Sequence, residues 1–226
     1  MAAPELSDVE LHYLPVRSKG EHVRMLLRAA ALPFKDVVYP FTMGDDGWPA
    51  AKKAGRFPFG RLPVLCFTSG GSRHMLSESG AIARLLATRA GLHPADAVAA
   101  AHADALYDAA RDLDEIDPVY NGFTKDAGEC GRVLDAAEAH LARLAAASLL
   151  PSGAPFLRGD APVAADFLVF CFANNLLAIR PDALRRSAAP QLAAWYERVA
   201  ALPAVADVLA SRADVPPSAT GLAAAR

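Results

Sequence analysis

Pro58-Phe59-Gly60-Arg61-Leu62-Pro63-Val64-Leu65-Cys66-Phe67, followed by Leu76-Ser77-Glu78-Ser79-Gly80-Ala81-Ile82-Ala83-Arg84-Leu85-Leu86, carries most of the information in this chain. The apolar run Pro63–Phe67 predicts a buried strand. A proline directly before it cannot donate a ladder hydrogen bond, so it suits the first strand position. A cis bond there would bend the chain and expose the Leu62 backbone to a ligand. Ser69-Gly70-Gly71-Ser72 is a turn, and Arg73 to Leu76 can return as an antiparallel partner. Glu78-Ser79 stands at the start of a helix over 79–90 that buries Ile82, Leu85 and Leu86. Free N–H groups and the helix dipole there favour a carboxylate. Ser79 can add a hydroxyl donor and Glu78 can accept an ammonium. A carboxylate and an ammonium held side by side describe an amino-acid head group.

Upstream, Val9-Glu10-Leu11-His12-Tyr13-Leu14 alternates apolar and polar and stops at Pro15, which predicts a strand. Gly20 to Leu32 places Val23, Leu26, Leu27 and Ala30 on one helical face, ended by Pro33. Phe34–Tyr39 is strand-like, and Trp48–Ala54 reads as a short irregular helix. The order is βαβ, a connecting helix, then ββα. Gly91-Leu92-His93-Pro94 is a break. Of the chain's 50 alanines, 37 lie beyond residue 96. Alanine is the best helix former and is depleted in strands, so the second part is expected to be helical. Helices are expected near 97–122, 127–148, 164–179, 190–202 and 204–212. The domains are then 7–90 and 97–212, with 213–226 a flexible tail.

The 226 residues carry 23 basic and 25 acidic side chains, a net charge of -2. This balance offers no footprint for nucleic acid. No apolar run reaches the length of a membrane span, and the first ten residues do not read as a signal peptide. The three cysteines, Cys66, Cys130 and Cys171, show neither a disulfide framework nor metal-ligand spacing. A cytoplasmic protein is the expectation.

Tyr13, a loop and helix, Trp48, Leu62-Pro63-Val64 and Glu78-Ser79, in that order, resemble a cytosolic glutathione transferase. The stretch His12–Glu21 resembles the tyrosine-bearing strand and loop of the sigma class, which includes the haematopoietic prostaglandin D synthases. Ala165-Asp166-Phe167 after Gly159-Asp160 resembles the start of the family's buried sixth helix. Arg180–Leu184 and Leu202–Val205 resemble its closing segment. The resemblance spans about residues 8–212 and implies an α/β thioredoxin-like domain followed by an all-helical one, usually as a homodimer. It implies glutathione as co-substrate and a small electrophile bound in a cleft against the second domain.

The implied chemistry is thiol activation. A free thiol ionises at a pKa of roughly 8.5, and the thiolate is the nucleophile. A phenol donating to sulfur favours the charged form, and the resemblance puts Tyr13 in that role. For glutathione it implies Lys19 near the thiol, and Trp48 with Lys52 (or Lys53, given two extra residues before Pro58) at the glycine end, helped by Arg61. Leu62 and Pro63 take the cysteinyl backbone, Glu78 and Ser79 the γ-glutamyl head group, and Asp112 reaches that group in the partner subunit. Ordinary surface charge competes as a reading of Lys52, Lys53 and Arg61 taken singly. Leu14, Val16, Asp114 and Val119 are expected to face the electrophile. The prostaglandin synthases place an aromatic near Val119 and an apolar residue near Asp114, so a more polar or open cleft is expected here.

Asp104, Asp108, Asp112 and Glu115 form one helix stripe, read for the most part as a solvated face. The metal-responsive relatives carry an acid where Arg111 stands, and no metal is expected. Val163 replaces the family's hydroxyl cap three residues before Asp166, a cap typically worth ~1 kcal/mol. Cys171, within Phe167–Phe172, reads as a packed apolar residue. The function expected is conjugation of glutathione to small electrophiles. The alternatives are a glutathione-dependent isomerase with one dominant substrate, and a non-catalytic glutathione-binding or structural relative.

Overall fold

The computed structural model describes residues 5–42, 44–148, 153–186 and 191–212. The tail expected over 213–226 lies outside the described residues. Four strands, β1 (Ser7–Tyr13), β2 (Phe34–Val38), β3 (Val64–Ser69) and β4 (Ser72–Ser77), form one mixed sheet in the order β2-β1-β3-β4. β1 runs parallel to β2 and antiparallel to β3, and β4 is antiparallel to β3. The parallel pair needs a crossover, which α1 (Lys19–Ala29) supplies. The antiparallel pair needs only the Gly70-Gly71 turn, both glycines at positive φ. This is the βαβ–ββα thioredoxin-like arrangement read from the sequence.

Alternation along β1 sends Val9, Leu11 and Tyr13 to one buried face and Glu10 and His12 to the other. The first face packs on α1 and α3 (Ser79–Ala90). The second meets a smaller cluster of Tyr39, Ala51, Phe57, Val64 and Cys66, beside α2 (Trp48–Lys53). Gly91 closes α3 with φ +70°, its N–H on Thr88 O and the Leu92 N–H on Ala87 O. A left-handed residue there satisfies the last carbonyls and turns the chain out of the sheet domain.

The second part is helical: α4 (Ala97–Ala110), α5 (Ile116–Tyr120), α6 (Ala127–Ser148), α7 (Ala164–Ile179), α8 (Ala183–Arg186), α9 (Gln191–Ala200) and α10 (Pro203–Ser211). The single helix expected over 97–122 is broken by a 3₁₀ stretch, Arg111–Glu115. Pro118 explains the break: its ring would clash with the Asp114 carbonyl in a continuous α-helix, and it has no N–H to offer. Of the helix expected over 190–202, Gln191–Ala200 is seen, and Pro190 lies outside the described residues. α8 was not expected. α7 is apolar on nearly every side and is buried accordingly. Its Phe167 and Phe170 share one core with Leu11, Val23, Leu27 and Ile82 of the sheet domain.

Candidate functional site

The strand register assembles one end of the sheet. His12 pairs with Val64, and Val64 pairs with Ser77. One step further along each strand stand Tyr13, Pro63 and Glu78, so residues far apart in sequence share one edge. The Leu62–Pro63 bond is cis. Glu78 is exposed at φ +72°, a conformation rare for a residue with a Cβ. Such outliers cluster at ligand sites, where packing holds them. Its carboxylate makes no cap bond to α3, so the first N–H groups of that helix remain available beside the buried Ser79.

Tyr13 is 4% exposed. Burial and the nearby Asp117 push its phenol above the ordinary value, while a hydrogen bond with Ser18 and the charge of Arg24 pull the other way. The Arg24 guanidinium lies 5.8 Å from the centre of the ring. A phenol with a raised pKa keeps its proton at neutral pH. It can therefore donate a hydrogen bond to an anion but cannot serve as the base that makes one.

Trp48 stacks on Phe57 at 6.4 Å between ring centres and meets Tyr39 edge-on. Lys52 brings its Cε to 3.9 Å from where a Cβ on Gly60 would stand, against the turn that carries Arg61 and Leu62. Lys53 is exposed. Arg61 is exposed, Leu62 half-buried and Pro63 buried. Lys19 Nζ lies 2.6 Å from Asp114 Oδ2. Asp112 is exposed on the 3₁₀ stretch.

The residues expected to face the electrophile divide. Leu14 is partly buried against the Tyr39 cluster. Asp114 is taken up by Lys19, and burial raises its carboxyl while Lys19 draws it back. Val16 and Val119 are buried. Val119 joins the main core, and the Val16 carbonyl accepts a hydrogen bond from Arg212 after α10. Of the acid stripe read for the most part as a solvated face, Asp108, Asp112 and Glu115 are exposed and Asp104 is half-buried; Arg84 of α3 pairs with Asp104, at 2.9 Å, and with Asp108, at 2.7 Å.

At the start of α7 the Val163 side chain cannot cap, and Asp166 takes over. Its carboxylate accepts from the Val163 N–H at 2.8 Å, the Leu157 N–H at 3.0 Å and the Trp195 indole at 2.7 Å. Burial pushes this carboxyl up to about 6, against the pull of those donors. Cys171 is buried, as expected, with its Sγ 3.6 Å from the Ser18 carbonyl. Among the described residues no group of acids, histidines and cysteines could hold a metal ion.

Sequence reasoning passed over Arg24, Ser18 and Asp117. Arg24 falls within the helix predicted from its apolar stripe and is itself buried, clamped by Asp36 at 2.6 Å and Glu21 at 3.0 Å. The spacing Glu21-x-x-Arg24 was a visible signal. Ser18 and Asp117 had none, because only the tertiary fold brings them together.

Family models for the N-terminal and the C-terminal domain of glutathione S-transferases match residues 11–94 and 129–212. A probable glutathione S-transferase 7 of Caenorhabditis elegans is 31% identical over 84% of this chain and 89% of its own. Glutathione S-transferase 1 of Ascaris suum is 28% identical over 92% of this chain and 98% of its own. The solved structure of a glutathione S-transferase from the hookworm Necator americanus, described as monomeric, superposes with a TM-score of 0.74 at 25% identity. It covers 91% of this chain and 97% of its own. With the sheet order, the row of Tyr13, Pro63 and Glu78 and both domain models in agreement, this chain belongs to the glutathione S-transferase family and is an enzyme with glutathione as its co-substrate.

Proposed function

We propose that the Tyr13 hydroxyl lowers the thiol pKa of bound glutathione and that the thiolate then adds to small electrophiles. The observation carrying this reading is the register that sets Tyr13 beside Pro63 and Glu78 at one edge of the sheet. In this reading Leu62 and Pro63 hold the cysteinyl backbone, and Glu78 and Ser79 the γ-glutamyl head group. Trp48, Lys52 and Arg61 hold the glycine end, and the contact of Lys52 with the Gly60 turn favours it over Lys53. Lys19, paired with Asp114, borders the thiol. Domain limits of 7–90 and 97–212 accompany it.

The sigma-class assignment rests on the sequence around Tyr13. Prostaglandin-type isomerisation has less support, because Val119 is small and buried where those relatives carry an aromatic. A homodimer, in which Asp112 reaches the partner's glutathione, is supported by exposed Phe59 on the same turn as Arg61. A cytoplasmic enzyme is the simplest setting; no described helix is long and apolar enough to cross a membrane.

Spectroscopic titration of the thiolate of bound glutathione, in the wild type and Tyr13→Phe, tests the reading. The expected result is a lowered thiol pKa that reverts in the variant. Saturable binding with an ordinary thiol pKa would favour a non-catalytic protein. Absence of binding would limit the resemblance to fold and ancestry.

A further inference from the structure

The first turn of α3 is held from behind by the helical domain. Ser79, its first residue, is buried. The Tyr107 hydroxyl of α4 donates to the Ser79 carbonyl at 3.3 Å, and His22 Nε2 of α1 lies 2.8 Å from the same hydroxyl. Tyr107 and His22 are both buried. The Tyr107 ring also lies along the next residue: a Cβ on Gly80 would stand 3.4 Å from its Cε1. The Arg84 guanidinium sits 5.7 Å from the centre of that ring and is itself anchored by Asp104 and Asp108 of α4. Groups from α1, α3 and α4 thus fix one aromatic side chain against residues 79 and 80.

Counting protons gives this contact a direction. A phenol has one proton to donate, and a neutral imidazole has one N–H. Burial and, less strongly, the charge of Lys19 lower the His22 pKa to about 3, so the ring is neutral at pH 7. With the Tyr107 proton given to the Ser79 carbonyl, Nε2 carries the imidazole hydrogen and donates it to the phenol oxygen. Nδ1 is then a bare lone pair, and it is buried without a partner among the described residues. The reverse arrangement would set the phenol oxygen and the Ser79 carbonyl against each other as two acceptors. It would also strand an N–H at Nδ1, which is costlier. One chain follows, from the His22 N–H to the Tyr107 hydroxyl to the Ser79 carbonyl. Two apolar side chains could fill the same space without the orphaned nitrogen, and they would leave Ser79 unheld.

Ser79 follows Glu78, whose backbone is strained at φ +72° and whose side chain makes no cap bond to α3. The turn assigned to the γ-glutamyl group therefore gets no restraint from its own capping residue, and the hydrogen bond from Tyr107 supplies one from the other domain. We propose that Tyr107, oriented by His22, is a positioning residue for the γ-glutamyl end of glutathione: it holds the Glu78–Ser79 turn in the geometry that receives the head group. The inference rests on the γ-glutamyl role given above to Glu78 and Ser79. It extends that role to two buried side chains behind the site.

The test is calorimetric titration with glutathione, with cysteinylglycine, which lacks the γ-glutamyl group, and with γ-glutamylcysteine, which lacks the glycine. The affinity ratio of glutathione to cysteinylglycine reads the γ-glutamyl contribution, and the ratio to γ-glutamylcysteine reads the glycine end. In Tyr107→Phe the first ratio is expected to fall about five- to tenfold, the loss of one hydrogen bond, and the second to stay. KM for glutathione should rise with kcat unchanged. His22→Leu should lower the first ratio in the same direction, and His22→Gln, whose amide N–H can replace that of Nε2, should restore it; this pair serves if Tyr107→Phe folds poorly. Melting curves report the fold. A folded Tyr107→Phe protein with the wild-type ratios overturns the inference. So does an equal fall in both ratios, which marks a general loosening, or a His22→Leu protein that matches His22→Gln. Ser79→Ala separates the two readings. If it leaves the γ-glutamyl contribution unchanged, the assignment of that end falls first and this inference with it. If it lowers that contribution and Tyr107→Phe does not, this inference alone falls.

Discussion

The Trp195 indole donates a 2.7 Å hydrogen bond to Asp166 Oδ1 across 29 residues of sequence, joining α9 to the start of α7. Two backbone N–H groups share the same carboxylate. Asp166→Ala would leave all three donors buried without partners, each costing about 1–3 kcal/mol. The expected loss is about 3–5 kcal/mol of stability, or roughly 6–20 °C in Tm for a chain of this size. Thermal unfolding followed by circular dichroism measures it, and a Tm within a degree of wild type would refute it.

Gly20 is needed for a reason of space. A Cβ there would stand 2.3 Å from Tyr13 Cδ1. Alanine is ordinarily about 1 kcal/mol better than glycine within a helix. Here the buried ring has to move, and overpacking of this kind costs about 1–3 kcal/mol. Gly20→Ala should therefore lower both stability and the rate of glutathione conjugation. An unchanged kcat/KM would show that Tyr13 tolerates displacement.

His22 is fully buried, with Nε2 2.8 Å from the Tyr107 hydroxyl, and burial lowers its pKa to about 3. Between pH 6.5 and 3 the unfolded chain takes up a proton that the folded one refuses. Stability from this group is therefore present above pH 6.5 and lost as the pH falls towards 3. The slope is at most about 1.4 kcal/mol per pH unit. Asp117 and Asp166 are shifted upward and act with the opposite sign, so the comparison is made against His22→Gln. Wild type should lose stability on acidification more steeply than the variant in urea unfolding series; parallel curves would contradict the assignment.

Phe59 is 76% exposed and sits at φ +58°. An apolar ring held out on strained backbone suits an interface between two copies of the chain. Sedimentation is expected to give a dimer for the wild type and a monomer for Phe59→Glu. The monomeric hookworm relative makes the alternative concrete. A wild-type monomer, or a dimer unaffected by the substitution, would remove Phe59 from that role.

Strand alternation from Val9 to Tyr13, the apolar stripes of α1 and α3, the Gly91 stop and the alanine-rich helices were all legible in the sequence. Each depends on residues within a few positions of one another. The row of Tyr13, Pro63 and Glu78 drew attention for a different reason: it resembles a family whose motifs recur in this order. The missing hydroxyl cap at Val163 was legible in the same way, three residues before Asp166.

Tertiary packing decided the rest. Pro118 split one expected helix in two, and Arg84 of α3 found Asp104 and Asp108 as partners across two helices. Packing also buried Val16 and Val119. Ser18 and Asp117 are ordinary polar residues in the sequence, and only the docking of α5 and α7 against the loop before α1 makes them partners. Periodicity reports which side of an element is apolar. The environment of a single charge depends on what the rest of the chain sets against it, and that is settled only when the elements pack.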